Sequence, residues 1–319
     1  MNGGTEEKNR LGFRKALLHF AAHALLLLVV VGMAIRLTAR DTFLVTAVPY
    51  YATSPAAMTL IMLCAILCLP RTRIPTWRFA IGLFLLAVMW TCFRQYESNS
   101  RQNVTGEVRT LMFWNVYAGN WGWGGVVSEI KAQDPDIVAL AECWLAEDSR
   151  VEFLAKHFPG YEVVFFPRGL TLLSRIPISD TRGLTPPDGG GVFQSATFAA
   201  EHPFTLVLGD LPSALSLHRK EPLGVLVDVV DKLDGPVLIA GDLNTPVDSV
   251  FCDPLRMQFK NAFEEVGSGL HATWPMPLPV LAIDHVWGNA NVAFHHAEIR
   301  GTMRSDHRAI VVEFAVGQD

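Results

Sequence analysis

The chain has 319 residues, of which 50% are hydrophobic and 18% charged. That composition is too apolar for a disordered chain, and five cysteines are too few for a disulfide scaffold. Charge is unevenly spread: residues 1–94 carry ten Lys and Arg against three Asp and Glu, whereas residues 95–319 carry sixteen against twenty-eight, a formal −12 that argues against a nucleic-acid-binding surface.

The basic, apolar first third reads as a membrane anchor. Residues 16–35 (ALLHFAAHALLLLVVVGMAI) hold no charge and suffice to cross a hydrocarbon core of about 30 Å as a helix. A second apolar stretch covers residues 48–69. It opens on Pro49, Tyr50 and Tyr51, which suit an interface, and has Pro55 near its start, where a helix tolerates proline best. The third, residues 77–93, is the shortest and reads as a third crossing, with a core helix or a re-entrant piece as the alternatives. A cleaved signal peptide competes for the first stretch, but no small-x-small site follows Ile35.

Basic flanks set an expected topology. Lys8, Arg10, Arg14, Lys15, Arg71, Arg73 and Arg78 fall on one side, and Arg36, Arg40, Arg94 and Arg101 on the other. The positive-inside tendency puts the N-terminus in the cytoplasm, and three crossings then put the rest of the chain outside. Two crossings would leave it inside. His19 and His23 are spaced i,i+4 and read as packing residues, since no third metal ligand is in sight. Cys64 and Cys68 read as apolar fillers, and Cys143 and Cys252 permit a disulfide without requiring one.

Residues 95–107 are polar and read as a linker. Beyond it, strand-like runs cover 108–116, 137–141, 163–166, 171–173, 205–208, 237–240, 282–287 and 310–314. Amphipathic stretches at 126–133, 149–157 and 222–233 read as helices. This mixture predicts an α/β or α+β domain with a substantial sheet.

Polar residues recur at the ends of these strands. Asn115 ends the first, in FWNVYAGN, and Glu142 the second, in DPDIVALAECW. Asp242 and Asn244 follow the buried run of PVLIAGDLNTP. Asp284 and His285 interrupt LAIDHVWGN, and Asp306 and His307 precede the last strand in RSDHRAIVVEF. Such side chains can converge on one rim of a sheet. Carboxylates, an amide and imidazoles without cysteine suit Mg²⁺ or Mn²⁺ rather than a structural zinc, and fit phosphoester chemistry.

Asn115-Val116, Ala141-Glu142, Gly241-Asp242-Leu243-Asn244, Ile283-Asp284-His285 and Ser305-Asp306-His307, in this order, resemble the endonuclease/exonuclease/phosphatase superfamily. The segment GLTLLSRIPI is similar to that family's strand and turn ending in Ser-Arg-x-Pro. The resemblance spans residues 109–313. It implies a four-layer α/β sandwich, two mixed sheets face to face flanked by helices, preceded here by the N-terminal helical anchor of residues 1–94. It also implies roles. Glu142 is the metal ligand, with Asn115 beside it and Asp306 near the metal. Asp242 orients or deprotonates the attacking water. Asn244 holds the phosphate or Asp242. His307 contacts the scissile phosphate, and Asp284 fixes the tautomer and charge of His307.

The chain departs from the family pattern once: Asp210, in TLVLGDLP, stands where a phosphate-contacting His is expected. His218 and Arg219 read as solvated loop residues, with the alternative that they supply the missing positive group. Trp121 and Trp123, in GNWGWGG, read equally as a lipid or ring grip and as a packed turn. His295 and His296 read as surface, and Trp274 as packing beside the site.

The anchor and the similarity to bacterial membrane-anchored members, linked to undecaprenyl-pyrophosphate processing and teicoplanin resistance, favour a plasma-membrane phosphoester hydrolase. Its substrate would be a lipid-linked phosphate or diphosphate at the outer face of the bilayer. A metal-dependent nuclease is the alternative, disfavoured by the −12 charge. A non-catalytic membrane sensor or scaffold that kept the fold is the third reading, with Asp210 its one support.

Overall fold

The computed structural model describes residues 3–69, 74–144, 147–184 and 191–317. Arg71 and Arg73, which enter the basic-flank count, lie outside the described residues, as does the side chain of Lys8. The chain divides into two compact units, Met1–Tyr96 and Glu97–Asp319.

The first unit is helical: α1 (Gly3–Leu37), α2 (Leu44–Ala52), α3 (Pro55–Cys68) and α4 (Ile74–Gln95). Within α1 and α4, Arg10–Leu37 and Thr76–Gln95 are long and apolar enough to cross a membrane. The third apolar stretch, the shortest in sequence, is thus one continuous helix. The second is the broken one, because α2 and α3 meet at 64°. Ser54 caps α3 by accepting from the Ala57 amide at 3.2 Å, and Pro55 opens it, so a new helix starts where the first has to stop. The break frees carbonyls that no continuing helix satisfies. Arg36 answers this by donating Nε to Thr53 O at 2.6 Å and a second nitrogen to Tyr50 O at 2.8 Å. Ala22, Leu26 and Val29 of α1 share a buried cluster with Met58, Met62 and Ala65 of α3. His23 bonds the His19 carbonyl of its own helix at 2.6 Å, as a side chain completing a turn does.

The second unit holds two six-stranded sheets. One contains β1 (Arg109–Asn115), β2 (Ile137–Ala141), β3 (Glu162–Phe165) and β4 (Thr171–Ser174). The other contains β5 (Ile178–Gly183), β6 (Val192–Phe198), β7 (Phe204–Asp210), β8 (Val237–Asp242), β9 (Phe259–Asn261) and β10 (Asp284–Asn289). Strands β11 (Val292–Arg300) and β12 (Ala309–Val316) complete the first sheet. The orders are β11-β12-β1-β2-β4-β3 and β9-β10-β8-β7-β6-β5.

Strand alternation builds the layers. Leu111 and Phe113 of β1 point inward to meet Leu206 and Leu208 of β7 and Leu238 and Ala240 of β8 in one buried cluster. The alternate residues Met112 and Trp114 face outward and pack on Val126, Val127 and Ile130 of α5 (Trp123–Gln133). On the far side, Val207 and Ile239 pack on Leu223, Leu226 and Val230 of α7 (Lys220–Val230), whose i, i+3, i+7 spacing forms one apolar stripe. Helix α6 (Glu147–His157) covers the first sheet through Leu154. The architecture is the expected four-layer α/β sandwich.

The polar stretch read as a linker is laid down on this unit. Tyr96–Ser98 pairs with the strand Ser268–Leu270, Asn99 Nδ2 donates to Glu264 O at 2.8 Å, and Arg101 forks onto Glu313 at 3.1 and 3.2 Å. His295 is not an unattended surface group. It lies 3.6 Å from the Glu313 carboxylate and bonds the Gln102 carbonyl. Cys143 and Cys252 are both buried and form no disulfide with each other.

Candidate active site

Strand register brings the polar residues to one rim. Strands β1 and β2 run parallel with Asn115 opposite Ala141, so Asn115 and Glu142 end side by side. In the other sheet Asp242 of β8 is flanked by Asp210 of β7 on one side and Asp284 of β10 on the other, three carboxylates on one rung. The rung below pairs Gly209 with Gly241, and a Cβ on Gly241 would strike the Gly209 carbonyl, so glycine there permits the close approach.

Asn115 links the sheets. Its Nδ2 donates to Glu142 Oε1 at 3.1 Å and to Asp242 Oδ2 at 3.0 Å, while its Oδ1 accepts from the Tyr117 amide at 3.0 Å. A backbone N–H can only donate, so the amide oxygen faces Tyr117 with one of its two lone pairs. Asn115 thereby orients both carboxylates through Nδ2, and its oxygen keeps an open lone pair beside Glu142. Glu142 sits in the left-handed region with φ 53°, and its carbonyl accepts from Ala118 N at 3.0 Å, which ties the two loops together.

Asp242 is buried. Its Oδ1 accepts from the Asn244 amide at 2.9 Å, and Asn244, itself at φ 44°, donates Nδ2 to Leu211 O at 2.7 Å. In this arrangement the Asn244 main chain holds Asp242, and its side chain braces the loop after β7. Burial pushes the Asp242 carboxyl well above the usual carboxylate range, with the Asp284 charge adding to it and His307 opposing.

His307 lies between the two. Its Nδ1 bonds Asp284 Oδ2 at 2.9 Å, and its Nε2 faces Asp242 Oδ2 at 3.8 Å, beyond hydrogen-bond length. Burial opposes charging the ring. The Asp284 and Asp242 carboxylates outweigh it and push the imidazole up to about 10. Asp242, Asp284 and His307 lie within 4.8 Å of one another, close enough for the two carboxylates and the imidazole to act together on one proton. Asp306 accepts from Trp274 Nε1 at 3.2 Å and from Ser305 Oγ at 3.4 Å, and the Trp274 ring stands 6.4 Å from that of His307. Trp274 thus packs beside the site, as read.

Asp210 belongs to the same cluster. Burial first, then the Glu142 charge, push its carboxyl up to about 7, against the pull of Arg168. An ionised carboxylate repels a phosphoryl oxygen where an imidazole would donate to it. Asp210→His is therefore expected to raise turnover of a small phosphodiester about ten-fold, the scale on which single oxyanion donors act. Lower turnover in steady-state assays would show that the carboxyl has its own task, and unchanged turnover that the position lies outside the chemistry.

Arg219 corrects the sequence reading. It is no solvated loop residue but only 4% exposed, with Nε donating to Asn244 O at 3.2 Å. Its other two guanidinium nitrogens have no partner among the described residues. Its neighbours Leu217, His218 and Lys220 show no periodic pattern, and no local signal distinguishes it from an exposed arginine. Trp121 and Trp123 also part company: Trp123 packs under Gly119 and edge-on to Phe153, while Trp121 is exposed.

His285, the neighbour of Asp284 in sequence, points away from the cluster. Its Nδ1 accepts from Trp287 Nε1 at 3.2 Å and its Nε2 bonds Thr245 O at 2.8 Å, which fixes a neutral tautomer. Burial lowers it from 6.5 to about 4. The unfolded chain therefore takes up this proton first, and the stability His285 contributes is complete above about 6.5 and lost as pH falls toward 4, with a slope of about 1.4 kcal/mol per pH unit. His285→Gln keeps one donor and one acceptor without the titration. Between pH 6.5 and 4.5 the wild-type Tm is expected to fall more steeply than that of the variant, and parallel curves would refute the assignment.

The donor set fits a hard divalent cation. Carboxylates of Glu142, Asp210, Asp242, Asp284 and Asp306 gather around one imidazolium, and Asp284 Oδ1 is buried with no hydrogen-bond partner among the described residues. A four-layer sandwich with this set at one rim defines a phosphoester-cleaving hydrolase fold. Residues 112–307 match the Endonuclease/Exonuclease/phosphatase family, and the chain belongs to it.

Solved structures show the same fold at low identity. An endonuclease/exonuclease/phosphatase family protein from Bacteroides thetaiotaomicron is 15% identical, with TM-score 0.56, over 67% of this chain and 100% of its own. A mannosyl-6-phosphatase from the same organism is 14% identical, with TM-score 0.56, over 65% and 99%. D. rerio TDP2 complexed with single-strand DNA product is 19% identical, with TM-score 0.55, over 66% and 100%. No curated protein matches the chain.

Proposed function

We propose that the chain is a membrane-anchored, Mg²⁺- or Mn²⁺-dependent phosphoester hydrolase. Its substrate is a lipid-linked phosphate, diphosphate or phospholipid headgroup at the outer face of the plasma membrane. The observation that carries this reading is the cluster of Glu142, Asp242, Asp306 and His307 in a chain that also holds two helices of membrane-spanning length.

Glu142 and Asp306 would hold the cation, which when bound withdraws charge from phosphoryl oxygens. Asp242, held by Asn115 and Asn244, orients a water and takes its proton, and its raised affinity for a proton suits that task. His307 directs Nε2–H at the phosphate from the position 3.8 Å from Asp242, with Asp284 fixing the ring from behind.

Phosphate release from the detergent-solubilised protein, over lipid diphosphates, phospholipids and DNA, with Mg²⁺, Mn²⁺ or chelator, tests the proposal. Release from a lipid that chelator abolishes is expected. DNA cleavage in its place would favour a nuclease, the reading that the DNA complex of D. rerio TDP2 keeps in view. DNA affinity is expected to show almost no salt dependence, given the acidic second unit. Metal binding without turnover on any ester would favour a sensor.

With three crossings the hydrolase unit is extracytoplasmic. A reporter enzyme active only in the periplasm, fused after Asp319, is then expected to be active. An inactive fusion, with activity from a cytoplasmic reporter, would reverse the topology.

A further inference from the structure

Five of the loops that ring the site expose large apolar side chains that the chemistry does not use. The loop after β1 exposes Tyr117 and Trp121, and the loop after β2 exposes Trp144, 54% accessible. The loop after β7 exposes Leu215 and Leu217. Leu278, 63% accessible, precedes β10, and Met303, 57% accessible, precedes β12. Strand directions put all five loops at one end. β1, β2 and β7 finish there, and β10 and β12, antiparallel to β8 and β1, begin there. At the opposite end only Val108 and Met257 are exposed among the described large apolar side chains, and the loops carry Asp134, Glu201, Asp231 and Asp234.

A crown of exposed apolar groups around a polar site marks an interaction surface. These side chains come singly or in pairs from five separate loops, not from one helix or strand face, so they suit a broad, soft partner. Arg168 and Arg304 are exposed at the same end, placed to meet anionic headgroups. The same polypeptide carries helices long and apolar enough to cross a membrane, which keeps a bilayer at high effective concentration.

We propose that this apolar rim seats in the headgroup layer of a lipid bilayer, so that the site opens directly onto phosphoesters at the membrane surface. The inference rests on the reading of the substrate as bilayer-borne. It adds that the soluble unit docks through its catalytic face.

The full chain in nanodiscs tests it in two ways. Trp144 fluorescence, isolated as the difference between wild type and Trp144→Phe, is expected to be quenched when the lipids are brominated. The triple variant Leu217→Ser, Leu278→Ser, Met303→Ser is expected to lose about ten-fold or more in hydrolysis of a bilayer-borne phosphoester while keeping hydrolysis of water-soluble bis(p-nitrophenyl) phosphate within about two-fold. Should the triple variant misfold, Leu278→Asp alone serves, with the same expected split. Equal losses on both substrates, or no loss on either, would overturn docking, as would absent quenching with two copies of the chain per disc. If the wild type cleaves no lipid phosphoester, the substrate reading fails, and the quenching alone then decides the docking.

Discussion

Glu142→Gln is expected to lower metal-dependent turnover by about a hundred-fold or more while leaving the fold intact. The substitution removes a charge and keeps the shape. Gln retains an oxygen for the Asn115 Nδ2 bond, now 3.1 Å long, and the backbone at φ 53° is no more strained by Gln than by Glu. What is lost is a charged oxygen donor at the place where carboxylates outnumber cations. A hard divalent ion favours a charged carboxylate oxygen over the neutral amide oxygen that Gln offers. Calorimetric titration with Mg²⁺ or Mn²⁺ should show the loss directly, with an unchanged Tm as the control for folding. Wild-type metal affinity together with wild-type turnover would remove Glu142 from the metal site.

The site was legible because each of its residues sits at a strand end within a short, characteristic run: FWN, ALAE, GDLN, IDH, SDH. Each run reports its own polar residue, but register is not local. Nothing in the sequence says that Asp210, Asp242 and Asp284 share a rung, and that alignment is what presses their charges together. Arg219 was illegible for a related reason: its burial is created by the loop of Asn244, 25 residues away.

Among the elements, β5 (ISDTRG) escaped notice because it is an exposed edge strand with no apolar face to alternate. β11 escaped because a bulge between Phe294 and His296 breaks its period of two. The break between α2 and α3 was half visible. Pro55 marks a helix start, but proline near the start of an apolar run suits one span as well as the second half of a bent pair. What completes the break is Arg36, from a different helix.

Asp284→Asn and His307→Ala are expected to cost about a hundred-fold or more each in turnover, and the double variant little more than His307→Ala alone. Among the side chains of the site, Asp284 hydrogen-bonds the ring alone: its Oδ2 accepts from His307 Nδ1 at 2.9 Å, its backbone amide donates to Thr273 Oγ1 at 3.3 Å, and its Oδ1 has no hydrogen-bond partner among the described residues. Asp284 is also fully buried, so a carboxylate there is stabilised chiefly by the imidazolium it faces. Asn in its place removes the charge that holds the ring protonated and aimed, and the donor at Nε2 is lost with the ring still present. Once His307 is gone, Asp284 has nothing left to orient, and its replacement relieves a buried, unpaired charge. The coupling in the double-mutant cycle should therefore be nearly as large as the smaller single effect. Because removing His307 strands that charge, the Tm of His307→Ala should fall, and the added Asp284→Asn should restore part of it. Two large losses that simply multiply, with no recovery of Tm, would mean that Asp284 acts on the reaction by a route other than His307.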